Sequence, residues 1–249
     1  MKKLLIWDLP TRFFHWAFSA AVSLTFVFAL AFDDDSPLFP LHMLFGLVAA
    51  FLLVLRLIMG VLGSHHSRFV NFPLNPRAAI AYFGGLLTGQ ARRYAGHNPG
   101  SALATVAMLG LVPVAVLTGA IGGGERFEDL HEVAAYTLLA AIGAHLLGLI
   151  LHTLRHRENI AFAMVDGRKI AEPRDAIRSS HPLWGAAFAV VALTWSVALF
   201  SNRDPQAGTV RLPVMGTVIQ LGENEGEGDG QEGKEFADHR DRDDDHEDR

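Results

Sequence analysis

The chain contains no cysteine. That absence excludes disulfides, iron–sulfur clusters, structural zinc on thiolates and a c-type haem attached through a C-x-x-C-H motif. Any metal must be held by histidine or carboxylate. Charge is also sparse. Only 19% of the 249 residues are Asp, Glu, Lys or Arg, and they gather in a few short stretches instead of spreading as on a soluble surface. Half of the residues are hydrophobic and the mean hydropathy is positive, so the composition is that of a membrane protein. The formal net charge of -5 misleads, because much of the acid falls in the final stretch GENEGEGDGQEGKEFADHRDRDDDHEDR. That stretch has almost no apolar residues and is expected to be disordered. Without it the body of the chain is basic.

Five apolar runs are long enough to span a bilayer or nearly so: about Phe13 to Phe32, Leu41 to Leu62, Ser101 to Ile121, His131 to Leu154 and Leu183 to Phe200. The last is the shortest. The breaks are DDDSPLFP, a long basic segment, GGGERFED and a second basic segment. Lys2, Lys3 and Arg12 precede the first run. Arg68, Arg77, Arg92 and Arg93 lie between the second and third, and Arg155, Arg157, Arg168, Lys169, Arg174 and Arg178 between the fourth and fifth. The two other short connections hold one basic residue, Arg126. The positive-inside rule then places the N-terminus in the cytoplasm and the C-terminus outside it, as a multi-pass protein of a bacterial inner membrane. A cleavable signal peptide is the competing reading of the first run, since FALAF carries a small-x-small pattern. Against it stands WDLPTRFFHW, which is more elaborate than a plain basic leader.

Histidine is the polar residue these runs keep. An ionisable side chain inside a span is costly and marks function. His131 and His145 are fourteen residues apart, close to four helical turns, so they share a face while lying about 21 Å apart along the axis. Both fit within a hydrocarbon core of roughly 30 Å. In the topology above, His42 and His131 open their helices from the outer side, whereas His15 and His145 lie toward the cytoplasm. Two bis-imidazole sites in opposite leaflets are what two b-type haems require, because the macrocycle leaves two axial positions that neutral imidazole can fill. With both positions filled, the iron exchanges electrons and does little else.

Supporting residues follow from the same geometry. Gly46, Gly143 and Gly148, with Ala134, Ala135, Ala140, Ala141 and Ala144, would let a flat macrocycle approach the backbone, or would serve ordinary small-residue packing. Phe14, Trp16 and Phe45 could flank a macrocycle or anchor the helices at the interface. Arg56 is fourteen residues after His42 and reaches the inner pair, where it would pair with a haem propionate or snorkel. Arg12 is a second propionate candidate. His152 is about 31 Å from His131 along the helix and is the alternative inner ligand. His65, His66, His156 and His181 read as solvated or headgroup residues, and His239 and His246 belong to the acidic tail. His97, in GHNPGS, either orders the loop before the third run or borders a quinone pocket.

These residues sit in motifs that resemble the bacterial cytochrome b561 family, which includes the b-type cytochrome subunit of nickel–iron hydrogenases. The likeness runs from about Ile6 to Lys169. It rests on WDLPTRFFHW, LHMLFGLVAAFLLVLRLIMGVLGSHHSRF, RRYAGHNPGS, the paired histidines of the fourth run and RHRENIAFAMVDGRK. Met59 stands where a family member usually shows tryptophan. The resemblance implies a four-helix bundle binding two haems b, with ligands at His15, His42, His131 and His145.

The expected architecture is an all-α membrane protein. Residues 1–170 form a dihaem transmembrane domain, 171–202 a cytoplasmic linker and a fifth transmembrane helix, and 203–249 a periplasmic, mostly disordered acidic tail. The expected function is one-electron transfer across the membrane, as an electron-transfer subunit or a quinone-linked oxidoreductase of a respiratory chain. The expected partners are lipid, quinone or quinol, and a periplasmic c-type cytochrome or a dehydrogenase or hydrogenase subunit, with no nucleic acid. The acidic tail would suit a basic cytochrome c, or is simply solvated. Two competing readings are a haem-free, histidine-lined transporter and a subunit that only anchors a redox complex. The first needs polar residues along a path, and SALATVAMLGLVPVAVLTGAI offers almost none.

Overall fold

A computed structural model describes residues 2–121 and 125–222. The acidic tail from Glu223 onward, with His239 and His246, lies outside the described residues. Among them, β1 (Lys2–Leu5) leads into α1 (Leu9–Ala31), α2 (Pro40–Leu62), α3 (Pro76–Thr88), α4 (Pro99–Ile121), α5 (Glu125–His156), α6 (Ala163–Asp166), β2 (Arg168–Ala171), α7 (Pro182–Ser201), β3 (Arg203–Asp204), β4 (Thr209–Arg211) and β5 (Val218–Gln220). Helices α1, α2, α4, α5 and α7 are long and apolar enough to cross a membrane, and they correspond to the five runs of the sequence. The protein is a multi-pass, mainly helical membrane protein.

Local chemistry sets the helix ends. Asp8 caps α1 by accepting a hydrogen bond from Thr11 N at 2.9 Å, and Pro10 sits in the first turn, where its missing N–H costs nothing. Asn75 caps α3 in the same way through Ala78 N at 3.1 Å. Prolines also start α2, α4 and α7.

The helices pack largely in sequence order. Contact is most extensive between α1 and α2 and between α4 and α5, with α2 on α4, α7 against α1 and α2, and α3 against α4 and α5. Among the described residues, α5 has at most marginal backbone contact with α1 and α2. The apolar core, built on Phe14, Ala21, Leu44, Leu47, Leu52, Leu109, Val112 and Phe188, joins α1, α2, α4 and α7. One close approach depends on glycine: a Cβ at Gly60 would lie 2.0 Å from the Phe69 ring.

Three features depart from a chain of spans joined by basic loops. The segment between α2 and α4 contains α3. The N-terminal strand β1 pairs antiparallel with β2, Lys2 opposite Ala171 and Leu5 opposite Arg168. Ile6 N and Trp7 N both donate to Gly167 O, and the positive φ of Gly167, with Trp7 O 2.7 Å from where a Cβ would sit, restricts that position to glycine. The strand pairing makes α1 an integral element of the bundle. Lastly, β3, β4 and β5 form an antiparallel sheet beyond α7, with Val210 and Leu221 buried beside Leu199. The stretch 203–221, grouped with the tail on composition, thus has its own hydrogen-bonded structure.

Because the α1 cap fixes where the first helix begins, Asp8→Ala is expected to lower stability by about 1 kcal/mol, with Asp8→Asn recovering most of it. Thermal unfolding of the detergent-solubilised protein measures both.

Candidate functional site

Inside a bilayer an imidazole N–H needs a protein acceptor, because no water is present to supply one. His42, near the start of α2, donates from Nδ1 to the backbone carbonyl of Thr25 on α1 at 3.0 Å. His131 on α5 donates from Nδ1 to the carbonyl of Ala115 on α4 at 2.8 Å. Only a protonated Nδ1 can bond a carbonyl, so each neutral ring carries its lone pair on Nε2. A second bond of this kind commonly orients a metal-bound histidine. The two rings face each other with centroids 5.9 Å apart and planes crossed at 84°.

Glycine permits this arrangement. A Cβ at Gly119 on α4 would stand 2.9 Å from His131 Nδ1, so the ring reaches its carbonyl only across a residue without a side chain. Gly46 is one turn from His42, and a Cβ there would meet only Thr25 Cγ2, at 4.0 Å, while at Gly143 it would meet nothing within 4 Å. Neither of these two positions is crowded by a neighbouring helix.

A second group of histidines lies toward the β1–β2 end, called here the basic end. His15 on α1 and His145 on α5 are within electrostatic reach of one another. His15 Nδ1 is buried without a hydrogen-bond partner, and Trp16 stands edge-on to the ring at 5.2 Å. Arg56 is only 2% exposed. Its Nη2 donates to Ser67 O at 3.0 Å, its guanidinium lies 4.5 Å from the Phe69 ring centroid and 5.8 Å from that of Phe14, and its Nη1 is buried without a partner. A buried guanidinium with a free donor is suited to an anion.

The other candidates have different surroundings. Arg12 donates to Val165 O, so it clamps α1 to α6, although its Nε is buried without a partner. Trp16 Nε1 donates to Met164 O at 2.9 Å and strengthens the same joint. Phe45 stacks on Phe28 at 5.7 Å and meets Phe200, which turns it toward α1 and α7. Phe14 stacks on Phe18. His152 is buried and its Nδ1 lies 2.6 Å from the Tyr82 hydroxyl. The groups acting on it are His156, Lys169 and Arg93, with His15 not among them.

His97 belongs to this end of the bundle, a place the sequence left open between a loop role and a pocket. Its ring packs against Trp7 at 4.9 Å and Phe72 at 4.3 Å, within electrostatic reach of Arg56, Lys169, His145 and His66. Lys169 holds its loop by donating from Nζ to Tyr94 O at 2.9 Å and Gly96 O at 3.1 Å. Burial depresses the Lys169 ammonium to about 8 and, with the cations nearby, the His97 imidazole to about 3. His66 is not a free surface residue: its Nε2 donates to Asp175 O at 2.7 Å.

Among the described residues no three His, Asp or Glu side chains converge as a metal site; the imidazoles meet in twos. Residues 6–167 match the family of prokaryotic cytochrome b561. The chain belongs to that family. No curated protein and no solved structure matches the chain significantly. The cytochrome b561 match ends at Gly167, so α7 and the β3–β4–β5 sheet lie outside it. Membership makes the protein a membrane b-type cytochrome of electron transfer with haem b as its cofactor. The paired donor sets fit that group: haem supplies four equatorial nitrogens itself and needs two axial ones. The orphaned Arg56 Nη1 fits its propionates.

The depressed His97 value has a consequence for stability. The unfolded chain takes up this proton near the ordinary value of 6.5 and the folded chain only near 3. The stability present above pH 6.5 is therefore lost as pH falls from there toward 3. A His97→Phe variant is expected to show a shallower loss of thermal stability between pH 7 and pH 5 than the native chain.

Proposed function

We propose that this cytochrome b561 holds two haems b, one between His42 and His131 and one between His15 and His145, and passes single electrons across the membrane. The observation that carries this reading is the hydrogen bonding of His42 and His131. Both Nδ1 protons go to backbone carbonyls of neighbouring helices, which leaves the lone pair on Nε2 of each of two rings 5.9 Å apart. When bound, haem b supplies reversible one-electron exchange. The chain's part is to hold the axial nitrogens, exclude other ligands from the iron and neutralise the propionates. Arg56 serves the last role at the basic end. Arg12 contributes there only through its Nε, since its fork is engaged by Val165.

His145 is favoured over His152 as the inner ligand, because Tyr82 already engages His152. By the positive-inside rule the basic end is cytoplasmic, with the β3–β4–β5 sheet and the acidic tail in the periplasm of a bacterial inner membrane. Electrons then run between the quinone pool and a periplasmic partner, a c-type cytochrome or a dehydrogenase or hydrogenase subunit. A transporter reading has less support. Thr118, the buried polar side chain of α4, bonds its own helix at Val114 O and does not continue a path.

The reduced-minus-oxidised absorption spectrum tests the assignment. The purified full chain is expected to show low-spin b-type bands and two haems per chain. His42→Ala or His131→Ala should lose one haem, His15→Ala or His145→Ala the other, and His152→Ala neither. Two haems retained in His145→Ala and one lost in His152→Ala would reverse the inner assignment.

A further inference from the structure

His152, Tyr82 and His156 have no part in the electron path just described, yet they form a polar string at the basic end, with Tyr82 and His152 buried. Burying polar groups is costly unless they are paired. The Tyr82 hydroxyl, from α3, lies 2.6 Å from His152 Nδ1. The His152 and His156 rings are 4.4 Å apart, and the Nε2 of each is buried without a hydrogen-bond partner. Beyond His156 the chain reaches Glu158, which lies 4.0 Å from Arg93. Arg93 also lines a cleft of about 430 Å³ together with Tyr94, Ile170 and Arg174. A set of titratable groups therefore leads from the surface to Tyr82.

The position of this string relative to His145 gives it a use. His152 follows His145 by seven residues, nearly two turns, so it lies on the same face of α5 about 10 Å closer to the basic end. A quinone exchanging electrons near His145 must also exchange protons, and this stripe of α5 presents a proton carrier between that depth and the surface of the basic end. We propose that Tyr82 and His152 are the proton-transfer pair for quinone chemistry at the basic end, recharged from the surface through His156 and Glu158. The proposal rests on the quinone-linked reading above.

In the direction of quinone reduction, two electrons carried by the cytochrome and two protons convert the two carbonyl oxygens to hydroxyls. For each proton, the Tyr82 O–H bond breaks as the new quinol O–H bond forms, and Tyr82 regains a proton from His152 Nδ1. His152 then takes a proton at Nε2 from His156, which is recharged from solvent at Glu158, and returns to its Nδ1–H tautomer before the second transfer. Quinol oxidation runs the same transfers backwards. Burial raises the Tyr82 phenol to about 12, so the hydroxyl keeps its proton across the working pH range and acts as a bridge instead of resting as an anion. The other groups facing the pair are Tyr94 and Arg93 from the loop before α4, Lys169 from β2 and, beside His156, Arg155.

The test uses the full-length protein in membranes, with Tyr82→Phe and His152→Gln variants and a soluble short-chain quinol as reductant. Positioned acid–base groups contribute roughly 100-fold or more to rate. Both variants are expected to lose at least 10-fold in the rate of quinol-driven haem reduction and to flatten its pH dependence. Their haem content, dithionite-reduced spectra, midpoint potentials and KM for quinol should stay unchanged. The quinone-minus-quinol infrared difference spectrum should contain a tyrosine ring mode that Tyr82→Phe removes. Native rates, native pH slopes and no tyrosine signal, in a protein whose haems quinol does reduce, overturn the proton-transfer pair alone. Haems that dithionite reduces and no quinol does overturn the quinone-linked reading along with it.

Discussion

An imidazole can stay inside a bilayer only if a protein group accepts its N–H, and in this bundle the acceptors for two of the rings are carbonyls of helices that are already hydrogen-bonded. Thr25 O and Ala115 O each take a second donor from His42 and His131. The rest of the arrangement depends on that contact. It sets the tautomer, leaves the lone pair of each ring on Nε2, and ties α2 to α1 and α5 to α4, two pairings in which the helix contact is extensive. Gly119 is part of the same constraint, because any side chain there would hold His131 off its acceptor.

The basic end solves a different problem, that of burying cations. Arg56 lies under aromatic rings with one nitrogen bonded and one free, and Lys169 spends its ammonium on the carbonyls of Tyr94 and Gly96. These contacts require the chain's first strand, its 60s loop, its 90s loop and β2 to meet in one place. The antiparallel pairing of β1 with β2 and the shared acceptor Gly167 O bring them there. Three of the motifs that carry the likeness to the cytochrome b561 family, around WDLP, GHNPGS and MVDGRK, are thus neighbours in space as well as signatures in sequence.

The approach of His42 to His131 was open to sequence reasoning because position in an apolar run sets where along its helix each histidine stands. His97 was not, since a loop has no periodicity from which to infer where its side chain lies, and its contacts with Trp7 and Phe72 come from distant segments. The clamp made by Arg12 was hidden for a related reason: Val165 O is a backbone atom 153 residues away, and no residue type announces a carbonyl acceptor. Helix α3 was concealed by its basic flanks and its length of 13 residues, too short to register as a span.

The sequence alone determined that the chain has five runs long and apolar enough to cross a membrane, that no thiolate chemistry is open to it, and that several of those runs keep histidine. Those properties follow from composition and from the repeat of a single helix. Tertiary structure alone decided which carbonyls orient the rings, that strands within residues 203–220 form a sheet, and that His152 is joined to Tyr82. Each of these is a contact between segments distant in sequence, and its energy depends on distances that no local pattern encodes.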